Sequence, residues 1–283
     1  MKQLTIGMAV YDDFDGVYFT VQALRIYQGC NNQQFELIVV DNNPDSAHGK
    51  AIKHFIEGYA NKNISARYVP YKDKTGTSTR NEIFRLAQGI YTLCLDCHVM
   101  LEPDGIKHLL QYYAQNPNTK NLIQGPLWDD SLQGYSTQFD PVWRDGMFGI
   151  WGSNHMAMLI GEPFEIPSQG LGLFSCKTSE WLGFNPLFRG FGGEEGYIHE
   201  KFRQNGAKCI CLPNLKWNHR FGRPNGLPYT NDLKDRVWNY FVGWLEIYKD
   251  PNHPFIKSIY DHFSSRLTAE QLNSIYADAI QTL

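Results

Sequence analysis

No stretch of this chain is apolar for the ~20 consecutive residues that a membrane-spanning helix needs, so an integral membrane segment is not expected. The first strand pattern runs into VYDDFDG and not into a GxGxxG turn, which excludes a nicotinamide-dinucleotide site there. Two later glycine-rich stretches, GLGLFS and GFGGEEG, lack the spacing, and no phosphate-cradling P-loop is present. HEKFR, from His199 to Arg203, starts like the zinc-protease signature HExxH but has no second histidine. Neither sign of charge dominates: the net charge is −3, which argues against a protein that coats nucleic acid but leaves a locally gripped one compatible. The six cysteines, at 30, 94, 97, 176, 209 and 211, show no disulfide-framework spacing. Reduced thiols and a cytoplasmic location are the expectation, since Met1 to Ile6 reads directly into a strand with no signal-peptide pattern.

What the chain does have is room for a large core and a wealth of rings. Its 283 residues, 42% hydrophobic, include seven Trp, sixteen Tyr and seventeen Phe. Such rings suit a cleft for sugars or bases, and more commonly they pack a core. The first 128 residues alternate strand and helix. Strands are expected at Leu4–Val10, Phe35–Asp41, Ala66–Val69, Tyr91–His98 and Leu122–Leu127. Helices are expected over Val17–Tyr27, around Ile52–Tyr59, from Thr79 (with Glu82 as a capping box) to Gly89, and after an Asp104 cap. This rhythm predicts an α/β fold with a mostly parallel sheet in an α/β/α sandwich. Residues 129–193 are Gly-, Trp- and Pro-rich and loosely patterned; a helix at Glu194–Asn205 and a strand at Lys208–Leu212 follow. The tail from 230 to 283 reads as a helical C-terminal extension, with a stripe at Leu233, Val237, Phe241, Leu245 and Tyr248. A lid, an acceptor platform or an oligomer contact would each suit it.

Open parallel sheets bind ligands at the carboxyl ends of their strands. Polar residues stand at three such ends here: Tyr11-Asp12-Asp13, Asp41-Asn42-Asn43 and Asp96-Cys97-His98. The last is the most informative. On a continuous strand Cys94, Asp96 and His98 point one way and Cys97 the other. The two cysteines then cannot form a zinc knuckle and serve as small buried hydrophobes. Asp96 and His98 can share a cation, and a carboxylate with an imidazole suits Mn²⁺ or another first-row ion better than Ca²⁺. Strand-end hydrogen bonding is the plainer use of the same pair. His219 is the best third ligand among the nine histidines.

The chain resembles the nucleotide-sugar glycosyltransferases of the GT-A fold, in the broad family 2 group, and at several points the polypeptide N-acetylgalactosaminyltransferases. The resemblance rests on LDCH (Leu95–His98), GTSTRNEIFRLAQG (Gly76–Gly89), ELIVVDNNPD (Glu36–Asp45), GFGGEEGYIHEKFRQNGAKCICLP (Gly190–Pro213) and HRFGRPNGLPY (His219–Tyr229), over roughly residues 4 to 229. It implies a transferase domain at 1–229, with a nucleotide-binding half at 1–128 and an acceptor or catalytic half at 129–229. It also implies a divalent cation, Mn²⁺ or Mg²⁺, held by Asp96, His98 and His219 beside a nucleotide-sugar donor, with UDP-sugars expected.

The donor's base and ribose would meet Val10, Tyr11, Asp12 and Asp41, and Arg80, Asp96 and Arg223 would stand around the diphosphate. Glu195 or Glu194 would take the acceptor proton; as helix-start acids they also suit the helix dipole. The family pattern after the paired glycines is Glu-Asp or Glu-Asn, and here it is Glu-Glu, which leaves inversion or retention open. The acceptor is open among glycan, lipid, protein, small molecule and, as an alternative, hydroxymethylated pyrimidines in viral DNA. A nucleotidyltransferase would show a Gly-rich basic loop after the first strand, and none is there. A non-catalytic sugar-binding module could keep the aromatic cleft but would not need the acid–histidine–histidine set.

Overall fold

Four of the five expected strands form because each apolar run is short, β-rich and bounded by turn residues, whereas the expected strand Leu122–Leu127 divides at Gly125-Pro126 into two short strands of different sheets. The structure is a computed structural model and describes residues 2–30, 34–60, 65–73, 76–222 and 226–283. In chain order the first half comprises β1 (Lys2–Val10), α1 (Phe14–Tyr27), β2 (Phe35–Asp41), α2 (Ala47–Ala60), β3 (Ala66–Pro70), α3 (Thr79–Leu86), β4 (Gly89–Asp96), β5 (Val99–Leu101), α4 (Gly105–Gln115), β6 (Leu122–Gln124) and β7 (Leu127–Trp128). There follow β8 (Tyr135–Ser136), β9 (Gln138–Arg144), β10 (Met147–Gly152), α5 (His155–Ile160), β11 (Phe164–Glu165) and β12 (Leu173–Lys177). The chain closes with α6 (Glu194–Gln204), β13 (Cys209–Cys211), β14 (Trp217–His219), α7 (Leu233–Tyr248), α8 (Pro254–Phe263) and α9 (Ala269–Ile280).

The main sheet has the order β11-β13-β6-β12-β4-β1-β2-β3 among the described residues. Strands β3, β2, β1 and β4 run parallel, as do β6 and β13, while β12 and β11 run against their neighbours. Side chains alternate across it as a two-residue period requires. Leu37, Val39, Leu93 and Leu95 enter a core with α1, α2 and α4, whereas Ile38, Val40 and Cys94 enter a second core with α3, α6 and α7–α9. Helices on both faces make the α/β/α sandwich. The second core runs without a break from the sheet into the C-terminal helices, and α7 is buried around most of its circumference from Val237 to Leu245.

Other local readings needed correction as well. Helix α3 is capped from Ser78 without a side-chain bond, and the Thr79 hydroxyl donates to Asn42 instead, so no capping box forms. Gly89 begins β4 and does not end the helix. Asp104 takes a left-handed conformation (φ 64°) and does not cap α4; the Gln28 side chain accepts from the Ile106 N–H in its place. β12, unread in the sequence, inserts antiparallel between β4 and β6, a non-local pairing that no local pattern announces. No helix among the described residues is long and apolar enough to cross a membrane.

Candidate functional site

Parallel register brings the strand ends level. Val10 pairs with Asp41 and Ala9 with Asp96, so β1, β2 and β4 finish along one rim. A cleft opens there, lined by Val10, Tyr11, Asp13, Asn42, Arg80, Asp96, His98 and others. Phe191 and Tyr229 line it as well, their rings 4.1 Å apart, and Tyr229 meets Tyr11 edge-on at 5.9 Å.

Strand β4 stops at Asp96, and Cys97-His98 form a turn before β5. The expected strand-long alternation therefore fails at its last step, yet the acid and the imidazole still converge. β14 pairs antiparallel with β5, setting His219 opposite Val99. His219 Nε2 lies 3.3 Å from an Asp96 oxygen and 3.2 Å from His98 Nε2. These three residues offer ligand atoms within 4.8 Å of one another. On its other edge His98 Nδ1 meets Asp13 at 2.8 Å. With the proton on Nδ1, donated to that carboxylate, the Nε2 lone pair is left facing His219.

Asp13 does three jobs at once. One oxygen accepts from the Gly16 N–H and caps α1; the other accepts from His98 and from Arg220 at 2.6 Å. Burial would raise its pKa, but bonds from His98 and Arg220 hold it far below the ordinary carboxylate value. Cys97 is no mere filler, because its Sγ stands 3.6 Å from the same Asp13 oxygen and 3.4 Å from His98 Nδ1. Cys94 is fully buried in apolar surroundings as expected, its thiol pushed up to about 12 by burial.

Asp96 shares a face with Cys94 and so looks toward α3 and α6. Arg80 of α3 donates to it at 2.7 Å and reaches within 3.8 Å of Glu194 on α6. Burial works against charge on both groups, but each holds the other ionised: Asp96 far below its ordinary value and Arg80 above. Arg80 thus forms a buried ion pair at the cleft wall. Glu194 is only 5% exposed, and its second oxygen finds no hydrogen-bond partner among the described residues. The half-buried Glu195 has its pKa raised well above the ordinary 4.5, by burial first and the Glu194 charge second.

The other expected residues divide. Val10 and Tyr11 line the cleft. Asp41 does not reach it: the residue is fully buried, accepting from the Asn43 N–H and the Tyr68 hydroxyl at 2.7 Å. Its neighbour Asn42 lines the wall in its place. Asp12, with φ 51°, is also set back from the cleft lining and accepts from the Asn43 side chain. Arg223 lies outside the described residues. Sequence reasoning placed Asp13 and Asn42 at strand ends without a role, and it missed Phe191 and Tyr229 as cleft walls. Only the fold folds those two loops over the rim.

No curated protein matches the sequence. Among solved structures, GalNAc-T7, crystallised with UDP, GalNAc and Mn²⁺, is similar with a TM-score of 0.72 at 15% identity, over 99% of this chain and 54% of that one. S. aureus TarS 1-349 in complex with UDP-GlcNAc aligns with a TM-score of 0.60 at 14% identity, over 99% and 81% of the two chains. The mannosyltransferase PcManGT from Pyrobaculum calidifontis, in complex with GDP-Man and Mn²⁺, aligns with a TM-score of 0.56 at 14% identity, over 99% and 74%. The chain spans about half the length of the GalNAc-T7 structure it matches. At such identities the likeness establishes the fold, which is the GT-A type. Residues 5–149, just over half of the 283, match the family model Glycosyl transferase family 2, and by that match the chain belongs to glycosyl transferase family 2.

Proposed function

We propose that the protein transfers a sugar from a nucleotide diphosphate sugar, a UDP-sugar in the simplest reading, to an acceptor hydroxyl with the help of a divalent cation. The observation that carries this reading is the convergence of Asp96, His98 and His219 at the rim of the cleft. Two imidazole nitrogens and a carboxylate oxygen form a donor set suited to Mn²⁺. A bound cation at these three residues would supply Lewis-acid neutralisation of charge on the departing diphosphate. GalNAc-T7 and PcManGT, of the same fold, were each solved with Mn²⁺.

The chain's own residues supply the rest. Asp13 fixes the His98 tautomer and ring plane from the Nδ1 side. Arg80 keeps Asp96 ionised and pinned at the wall. Val10, Tyr11 and Asn42 offer a floor for the nucleoside, and Phe191 and Tyr229 shield it from water. Glu195, with its raised pKa, suits the base that accepts the acceptor hydroxyl's proton near neutral pH. Glu194 beside it, facing Arg80, raises that basicity by its charge. We assign the nucleotide half to 1–128, the acceptor half to 129–229 and the helical extension to 230–283.

The test is a panel of nucleotide sugars incubated with the protein, with and without Mn²⁺, following donor hydrolysis and, in parallel, Mn²⁺ binding by electron paramagnetic resonance. Mn²⁺-dependent release of nucleotide from one donor class is expected. Tight Mn²⁺ binding with no donor turned over, or turnover indifferent to the metal, overturns the reading.

A further inference from the structure

The C-terminal helices carry a polar side chain where a core residue would be expected. Asn239 on α7 is fully buried, and among the described residues every hydrogen bond of its side chain goes to one loop. Its Oδ1 accepts from the Arg189 N–H at 2.7 Å, and its Nδ2 donates to the carbonyls of Arg189 at 2.7 Å and Gly192 at 2.9 Å. One side-chain amide thereby satisfies three backbone groups of the turn that leads into α6. The preceding residue on α7 adds to the grip: Trp238 Nε1 donates to the Leu187 carbonyl at 2.7 Å, and the Arg189 guanidinium lies 3.8 Å over the Trp238 ring.

The paired glycines fit the same picture. Gly192 and Gly193 have φ of +97° and +89°, a region that other residues rarely enter. A Cβ on Gly192 would stand 2.4 Å from Arg236 Nε, and one on Gly193 would stand 3.2 Å from Asn239 Cβ. The loop is pressed against α7. Its far side is held as well, since the Thr77 N–H donates to the Gly190 carbonyl at 3.0 Å, just before α3 and Arg80. The loop delivers Glu194 and Glu195 as the first residues of α6, where Glu194 faces the Arg80–Asp96 pair.

We propose that Asn239 is a positioning residue for sugar transfer: through the Arg189–Gly193 turn it fixes the Glu194–Glu195 pair relative to Arg80 and Asp96. The C-terminal helix is then part of the transfer site's frame and not an appendage to it. Its catalytic consequence rests on the transferase reading given above; its structural content does not.

Asn239→Leu keeps the branched shape and the number of side-chain heavy atoms and removes all three side-chain hydrogen bonds. Hydrogen exchange read on peptides spanning 187–197 should quicken in this variant, with peptides of β4 unchanged. The kcat for donor hydrolysis should fall on the order of 100-fold, the cost of misplacing a reacting group by about 1 Å. Mn²⁺ affinity should stay within about twofold, since the Asp96–His98–His219 set is untouched, while donor KM is free to rise because Phe191 of the same turn lines the cleft. Gly192→Ala pushes on the same turn from the Arg236 side and gives the same readouts if Asn239→Leu does not fold. Unchanged exchange across 187–197, or a fall in kcat matched by an equal loss of Mn²⁺ affinity, overturns the proposal. Should the wild-type protein turn over no donor at all, the transferase reading falls, and the exchange comparison still decides whether Asn239 holds the turn.

Discussion

Two acidic clusters face each other across the Arg80 guanidinium, and they are built on opposite principles. Around Asp96 and Asp13, cationic or imidazole partners hold both carboxylates ionised well below their ordinary range. At the start of α6 the two glutamates crowd each other: one oxygen of Glu194 has no partner among the described residues, and Glu195 is pushed toward its neutral form. The first cluster is held charged. The second is pushed toward protonation. A single protein thus sets carboxylates of like intrinsic strength to different protonation behaviour through their neighbours.

The largest effect that could break this contrast lies at the first cluster. Asp96→Ala and His219→Ala should each abolish Mn²⁺ binding, read by paramagnetic resonance, and lower donor turnover by about 1000-fold, on the scale of several kcal/mol of cation assistance. If Glu195→Gln removed the metal equally well, the division of labour would be wrong. Glu195→Gln should instead lower turnover by about 100-fold, the low end of general-base assistance, with Mn²⁺ binding intact. In the wild type the rate should climb with pH through a range above the ordinary carboxylate value, because the raised Glu195 must lose its proton to act. That limb should vanish in the glutamine variant.

Asp13→Asn sharpens the comparison from the supporting layer. The α1 cap survives, but the charge against His98 Nδ1 is gone, and Mn²⁺ affinity should weaken by about tenfold in titration calorimetry. The smallest effect concerns His199, which is fully buried and binds the Glu195 carbonyl through Nδ1. Burial depresses its pKa from 6.5 to about 3. The folded protein keeps this ring neutral while the unfolded chain protonates it, so its stability contribution is complete above 6.5 and is lost as pH falls toward 3. Unfolding free energies from urea titrations taken stepwise below neutrality should decline by at most ~1.4 kcal/mol per pH unit from this group. A flat profile would remove His199 from the acid-side support.

The legible parts of the molecule were those with a local signature. ELIVVD and TLCLD read as buried strands because their apolar runs are short and bounded, and the acid–histidine ending of the second stood out against them. Cys97 is buried in the first core as expected, but its direction was misjudged because period-two alternation was carried one residue too far: the chain turns after Asp96, and the thiol swings toward Asp13. Asp41 was misjudged for a related reason. An acid at a strand end suggests a ligand contact, but the Tyr68 hydroxyl from β3 reaches it first. Neither the turn nor the cross-strand hydroxyl leaves a mark in the linear pattern.

Periodicity, turn residues and the order of the motifs were enough to determine the α/β layering, the rim of strand ends and the residue types placed there. Each of these follows from interactions between residues near one another in the chain, which the sequence spells out directly. Only the tertiary structure decided that Asp13 steadies His98, that β12 slips in beside β4 and that an asparagine on α7 grips the turn ahead of Glu194. Those contacts join segments dozens of residues apart. Their partners are selected by packing of the whole sheet and its two cores, a global property that no local window contains.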